Sequence, residues 1–232
     1  MPAYNEELRL RRTLPLLRDW LEKQEYAWEV VLVDAGSHDR TIEVFHEFFP
    51  SDQGRSFTSQ NNRGKGFAIR RGIQEAKGEV LLFSDADFST HIEEFPKLVH
   101  YLENGYDIAI GSRSLPESNV EVHQAWYREG MGKVFNWMVQ MIVLRGFIDT
   151  QCGFKVVRRE RVLLFLPKLA VDGFCYDVEF LFLADKAGLK IREVPVTWVN
   201  DPVSKVHILK DSTQMFIDLL WIRLRDWFGQ YD

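Results

Sequence analysis

The feature that most constrains this chain is the regular alternation, across residues 1–111, of short β-type apolar runs with amphipathic helical segments. Leu10, Leu14, Leu17 and Leu21 recur at helical spacing, which predicts a helix up to about Lys23. Pro15 must fall in its first turn or kink it. Residues 29–33 read as a buried strand ending at Asp34, and Asp39-Arg40-Thr41 opens a helix to about Phe49. A short strand near Phe57, a helix over 65–76, a strand over 79–83, a helix over 92–104 and a strand over 106–110 follow. This order predicts an α/β fold: a mostly parallel, Rossmann-like sheet with helices on both faces. The second half is less regular. Residues 112–124 read as a loop, 133–144 as an apolar helix and 149–157 as an extended segment. A helix over 177–187, a strand over 191–199, a loop over 202–209 and an amphipathic helix over 212–228 complete the chain.

At 232 residues, with no internal repeat or linker, the chain reads as one domain. Residues 1–111 would form one half and 112–232 the other. A net charge of -5 supplies no basic field for nucleic acid. Cys152 and Cys175 make no disulfide framework or zinc set and read as reduced thiols of a cytosolic protein. No stretch is apolar and long enough to span a bilayer, and the first residues lack the features of a signal peptide. The expectation is a cytoplasmic protein, soluble or held peripherally at the cytoplasmic face of a membrane.

Ligand loops of an open α/β sheet lie at the carboxyl ends of its strands. Asp85 and Asp87 follow the apolar run Val80-Leu81-Leu82-Phe83 and so emerge there. Two carboxylates this close repel unless a cation or protons intervene, and hard oxygen ligands suit Mg²⁺ or Mn²⁺ completed by water and phosphate. The alternative is that Asp87 and Ser89 cap the next helix. Asp34 ends another strand, where it can accept hydrogen bonds from a base or ribose, although Gly36 and Ser37 could simply make a turn and Asp39 a cap. In Asn62-Arg63-Gly64-Lys65-Gly66 the glycines permit close backbone approach to a ligand, and the helix N-terminus with Lys65 attracts phosphate. The spacing is not that of a Walker A loop. Arg113 follows the strand over 107–110. Arg128, Lys205 and His207 are further anion contacts or solvated surface charges. The loop over 2–7 should itself follow a strand, yet none precedes it in the sequence.

The ordered set is specific. It comprises Pro-Ala-Tyr-Asn-Glu-Glu at 2–7, Val-Asp-Ala-Gly-Ser-x-Asp-x-Thr at 33–41, Asn-x-Gly-Lys-Gly at 62–66, Ser-Asp-Ala-Asp at 84–87 and Gly-Ser-Arg at 111–113. It resembles glycosyltransferase family 2, with the GT-A fold, over nearly the whole chain. Asp149-Thr150-Gln151-Cys152-Gly153-Phe154-Lys155, Tyr176-Asp177-Val178-Glu179 and Val203-Ser204-Lys205-Val206 resemble the dolichyl-phosphate glucose synthase branch. The resemblance implies that Pro2, Ala3, Tyr4 and Glu6 line a nucleoside pocket. It implies that Asp34 binds the base, that Lys65 lies near base or phosphates, and that Asp85 with Asp87 serves ribose, diphosphate and metal. Arg113, Arg128 and Lys205 would hold donor or acceptor phosphates, and Asp177 would orient sugar or acceptor, or else cap its helix. In two places the chain departs from the family pattern. Ala35 stands where many relatives have a second Asp, and the apolar first strand before Pro-Ala-Tyr is lacking.

The implied reaction is inverting transfer of a hexose, glucose from UDP-glucose, to a polyprenyl phosphate. GDP-mannose as donor, or non-catalytic binding of a nucleotide sugar or lipid, are the alternatives. A nucleotidyltransferase would show a glycine-rich loop with arginine after its first strand, which this chain lacks. A lipid acceptor needs an apolar approach. Val134, Phe135, Trp137, Met138, Met141, Ile142 and Leu144 on one helix, and Met215, Phe216, Leu219, Leu220, Ile222, Leu224 and Trp227 on another, suit a membrane interface or core and dimer packing.

Overall fold

The computed structural model describes residues 1–50, 52–201 and 208–232, with backbone alone for 208–210. Lys205 and His207 lie outside the described residues. In chain order the elements are β1 (Pro2–Ala3), α1 (Glu7–Leu21), β2 (Val30–Asp34), α2 (Thr41–Phe48), β3 (Gly54–Thr58), α3 (Lys65–Glu75) and β4 (Val80–Phe83). They continue with α4 (Phe95–Glu103), β5 (Ile108–Ser112), β6 (Asn119–Val122), α5 (Trp126–Ile142), β7 (Lys155–Arg158) and α6 (Arg159–Leu163). The last are α7 (Tyr176–Lys186), β8 (Ile191–Pro195), β9 (Thr197–Val199) and α8 (Ile208–Trp227).

The strands form two principal ladders. One is parallel and ordered β1-β2-β3, and the other is ordered β4-β7-β5-β8. The expected parallel α/β sheet is therefore present, with one departure. β7, expected only as an extended segment, lies between β4 and β5 and runs antiparallel to both. Val156 and Val157 are wholly buried there, and a strand with both faces covered carries no alternation from which its neighbours can be read. The loop over 2–7 does open on a strand residue pair: Pro2 and Ala3 form β1 by pairing with Val33 and Asp34.

Three other expectations change. Pro15 sits in the middle of α1 rather than in its first turn. It removes the bond to the Arg11 carbonyl, but Leu10, Leu14, Leu17 and Leu21 are all buried, and that packing keeps the helix continuous. The strand expected over 191–199 breaks in two, because β8 ends on Pro195, which has no N–H to donate onward. β9 then pairs with β6, inside what reads from sequence as a loop.

α1 and α2 cover one face of β2, with Leu10, Leu14, Val30, Leu32, Val44 and Phe45 in one buried cluster. A second cluster joins α3, β4, β5 and α7 through Ile69, Phe83, Ile110 and Phe180. Where α3 meets the segment before α7, a Cβ on Gly66 would come within 2.4 Å of the Val171 carbonyl oxygen and 2.5 Å of Tyr176 Cβ. Gly130 in α5 has open space around it. Gly66→Ala should therefore cost about 1–3 kcal/mol through overpacking. Gly130→Ala should stabilise by about 0.5–1 kcal/mol through helix propensity. Urea melts of the two variants should move in opposite directions.

Candidate active site

The polar residues after β1, β2, β4 and β5 meet at the carboxyl ends of the strands, the position such sheets use for ligands. The first two loops interlock. Asn5 takes a left-handed backbone (φ 52). Its N–H donates to Ser37 Oγ at 2.8 Å, and its side-chain oxygen accepts from the His38 N–H at 2.8 Å. Glu6 N–H donates to Thr41 Oγ1 at 2.8 Å. Ala3 is buried, and the Glu6 carboxylate accepts from Arg9 at 3.0 Å. Pro2, Ala3, Tyr4 and Glu6 thus belong to one braced edge beside the turn after β2. Asp34 is fully buried. Its oxygens accept from the Gly36 and Ser37 N–H groups at 3.1–3.2 Å and from the Ser37 hydroxyl. The carboxylate therefore organises its own turn, and Asp39 likewise caps Thr41 at the start of α2.

The centre of the cleft is a charge cluster. Lys65 Nζ lies 2.7 Å from Asp85 Oδ1. Burial raises the Asp85 carboxyl, but the Lys65 ammonium, with Lys155 and Arg113 beyond it, outweighs that and holds it below the usual range. Burial would lower the Lys65 ammonium, but Asp85 and Asp177 raise it instead. Asp87 goes the other way. Burial and the neighbouring Asp85 charge push its carboxyl up, while one oxygen accepts from the Ser89 N–H at 2.9 Å. That bond closes a local turn and is not the helix cap expected of Asp87: the next helical turn begins at Ile92, and neither it nor α4 carries a side-chain cap.

Sequence reasoning singled out Lys65 for phosphate together with the N-terminus of α3. The structure separates them. The Gly66 and Phe67 N–H groups both donate to the Asp172 carbonyl, at 2.8 and 3.2 Å. A Cβ on Gly64 would sit 2.4 Å from that same oxygen. These glycines let α3 approach the 171–173 segment, and the charge left at the cleft is the Lys65 ammonium itself.

Three residues without an individual role in the sequence reading shape the cluster. Asp149 grips Arg113 through the backbone N–H (3.0 Å), Nε (2.7 Å) and one terminal nitrogen (2.8 Å). The guanidinium also lies 5.5 Å from the centre of the Trp198 ring. Gly153 lies against Asp85 so closely that a Cβ there would fall 2.1 Å from Oδ2. Lys155, 1% exposed, donates to the Cys152 carbonyl and to Asp177. Asp177 is therefore the counter-ion of a buried lysine, while the N-cap position belongs to Cys175. Burial pushes the Asp177 carboxyl up against the pull of Lys155 and Lys65. Lys155 opens β7 inside a run in which Phe154, Val156 and Val157 are buried as well, so no alternation marked it. Arg128 stands on a different element, in the first turn of α5.

Two carboxylates at one crevice, with a lysine bound to one of them and a clamped arginine nearby, suit a phosphorylated ligand with a hard cation. A crevice of about 20 Å³ between Asp85, Asp87 and Gly153 has room for one ion or water. Residues 1–161 match the family described as Glycosyl transferase family 2. The chain belongs to glycosyl transferase family 2. It is 36% identical to a dolichyl-phosphate beta-glucosyltransferase of Homo sapiens, over 97% of this chain and 74% of the relative. It is 34% identical to the Dictyostelium discoideum protein of that name, over 99% of this chain and 74% of the relative. Among solved structures it is similar in fold to glucosyl-3-phosphoglycerate synthase from Mycobacterium tuberculosis in complex with Mn²⁺ and UDP-glucose. The TM-score is 0.70 at 17% identity, over 96% of this chain and 76% of that one. The fold of this family 2 chain is GT-A.

The Arg113–Asp149 clamp gives a pH prediction. Burial alone would raise the Asp149 carboxyl, but Arg113 holds it below the ordinary range. A depressed carboxyl stabilises the fold above its unfolded pKa, ~3.9, and loses that contribution as pH falls through the lower folded value. Asp149→Asn should cost about 3 kcal/mol at neutral pH. The gap in melting temperature from the parent should be widest near pH 7 and close below about pH 4.

Proposed function

We propose that this chain is an inverting glucosyltransferase that moves glucose from UDP-glucose to a polyprenyl phosphate of the dolichyl type. The observation that carries the reading is near full-length similarity to proteins named dolichyl-phosphate beta-glucosyltransferase, at 34% and 36% identity. Residues 1–111 would bind the donor and 112–232 the acceptor. The charge cluster is suited to the chemistry. A phosphate monoester has its second pKa near ~6, so the acceptor arrives largely as a dianion and is itself the nucleophile. Its oxygen attacks the anomeric carbon, the bond from that carbon to the donor diphosphate breaks, and the electron pair leaves with UDP. The protein then has two tasks, alignment and stabilisation of the leaving charge.

Asp85 and Asp87 would hold Mg²⁺ or Mn²⁺, with the nucleotide's oxygens and water completing the shell. The fit rests on this chain's own geometry: two hard carboxylates beside an ion-sized crevice, with an ammonium already drawn to Asp85 at 2.7 Å. When bound, the cation would neutralise charge on the departing diphosphate. Lys65 would be released from Asp85 toward a donor phosphate. Pro2, Ala3, Tyr4 and Glu6 would line the nucleoside edge, and Asp34 would keep the base-side turn in shape. Arg113, fixed by Asp149, would present a preoriented guanidinium to phosphate, with Arg128 and Lys205 as further anion contacts. Asp177 would act from below by fixing Lys155.

The acceptor's lipid tail would approach along α5 and α8, which pack together. Their outward faces carry Trp126, Val134, Trp137, Met141, Leu220 and Trp227, each at least 43% exposed. An apolar surface of this kind marks an interaction site, and the inward Phe135 and Met138 pack on the core. No helix among the described residues is long and apolar enough to cross a membrane; these two helices would touch its cytoplasmic face from the side.

The deciding assay offers UDP-glucose, UDP-galactose and GDP-mannose with a polyprenyl phosphate and Mn²⁺. The expected result is lipid-linked glucose from UDP-glucose alone, lowered at least ~100-fold in Asp87→Asn with the fold intact. Preferred transfer from GDP-mannose, or wild-type turnover by the variant, would defeat the corresponding part of the reading. For the surface, Trp137→Ser combined with Trp227→Ser should lower partitioning onto phosphatidylcholine vesicles several-fold at unchanged melting temperature. Equal partitioning would remove the lipid-facing role.

A further inference from the structure

Asp85, Ala86, Asp87 and Phe88 form a tight turn after β4, closed by the Phe88 N–H donating to the Asp85 carbonyl at 3.2 Å. Two forms of such a turn differ by a flip of its central peptide, here the one joining Ala86 to Asp87. The flipped form needs a positive φ at the third residue. Asp87 does not have one: among the described non-glycine residues only Asn5 and Phe88 do. The orientation of that one peptide therefore decides where the Asp87 carboxylate points relative to Asp85. Its oxygen, the Ala86 carbonyl, turns into the protein and accepts from the Thr13 hydroxyl of α1 at 3.0 Å. Thr13 and Ala86 are both buried. The same hydroxyl lies 3.0 Å from the Arg9 carbonyl in its own helix. That carbonyl is already served by the Thr13 N–H of the helical ladder, so the single hydroxyl proton is available to Ala86. α1 is firmly seated beside the turn. Ala86 shares a buried cluster with Leu10 and Leu14, and Arg9, one turn before Thr13, donates at 3.0 Å to both Glu6 and Asp201.

We propose that Thr13 is a positioning residue for the metal ligands: its hydroxyl locks the Ala86–Asp87 peptide in the orientation that turns both carboxylates to one crevice. The inference rests on the reading of Asp85 and Asp87 as ligands of Mg²⁺ or Mn²⁺. Two carboxylates two residues apart repel, and an unrestrained turn would relieve that by rotating Asp87 away. A hydrogen bond from a second element to the peptide between them opposes the rotation before the cation arrives. Less order then remains to be imposed on binding. The bond comes from α1, which begins at Glu7, directly after the edge formed by Pro2, Ala3, Tyr4 and Glu6. One helix thereby ties the nucleoside edge to the metal turn. Thr13 acts through the Ala86 carbonyl and touches neither nucleotide nor cation. A threonine that merely bonds back within its own helix would affect stability and leave cation affinity unchanged.

The test measures Mn²⁺ binding to the full chain in the presence of UDP, through the electron paramagnetic resonance signal of free Mn²⁺. It compares the parent with Thr13→Ser, Thr13→Val and Thr13→Ala. Val keeps the shape without the hydroxyl, and Ala, a strong helix former, removes the hydroxyl without crowding. Thr13→Ser should bind Mn²⁺ as the parent does. Thr13→Val and Thr13→Ala should both bind it about 5- to 10-fold more weakly, the weight of one buried hydrogen bond. UDP affinity in chelator should be the same in all four proteins. Parent-like Mn²⁺ affinity in the Val and Ala variants would overturn the proposal, as would a Ser variant as weak as Val. An equal loss of UDP affinity in chelator would overturn it in favour of general damage to the pocket. No Mn²⁺ binding by the parent would remove the cation reading itself, and this proposal with it.

Discussion

The buried pair between Lys155 and Asp177 is the interaction on which the site depends. Their side chains are 1% and 3% exposed. Removing one partner of such a pair strands a charge in the interior at a cost of about 3–5 kcal/mol. Lys155 arrives on the antiparallel β7, at the centre of the larger ladder, and Asp177 arrives in the first turn of α7. Their contact sets where α7 begins relative to the sheet. That in turn sets the 171–173 segment against which α3 and its Gly64 and Gly66 are packed. Lys65 leaves the start of α3 and reaches Asp85.

The cluster above that pair explains why two adjacent carboxylates respond in opposite directions. Asp85 has Lys65, Lys155 and Arg113 around it and is held ionised. Asp87 feels burial and Asp85 before it feels any cation and is pushed toward protonation. One ammonium satisfies one carboxylate, and a further positive charge in the crevice would satisfy both. The site is therefore built with a surplus of anionic ligands that a divalent cation and a diphosphate would complete together.

Much of this was legible in the sequence, for identifiable reasons. Apolar runs that end in Asp34, Asp85 and Gly111 announce strands whose carboxyl ends carry polar groups, and the described β2, β4 and β5 place them there. The charge balance at the centre was not legible. Asp149 and Lys155 act through partners 36 and 22 residues away, Arg113 and Asp177, and no local periodicity records such pairing. β7 was hidden for a related reason: a short apolar strand buried on both faces carries no direction. The N-terminal N–H groups of α3 looked like a phosphate site because sequence shows glycines and a lysine, but not the Asp172 carbonyl that occupies them.

The central claim is that Asp85 and Asp87 bind a nucleotide diphosphate through a divalent cation. The most direct measurement is calorimetric titration of UDP into the protein, with Mn²⁺ and again with chelator. The account predicts binding with Mn²⁺ that weakens at least ~10-fold, about 1.4 kcal/mol, when the cation is removed. Equal affinity in the two titrations would contradict it.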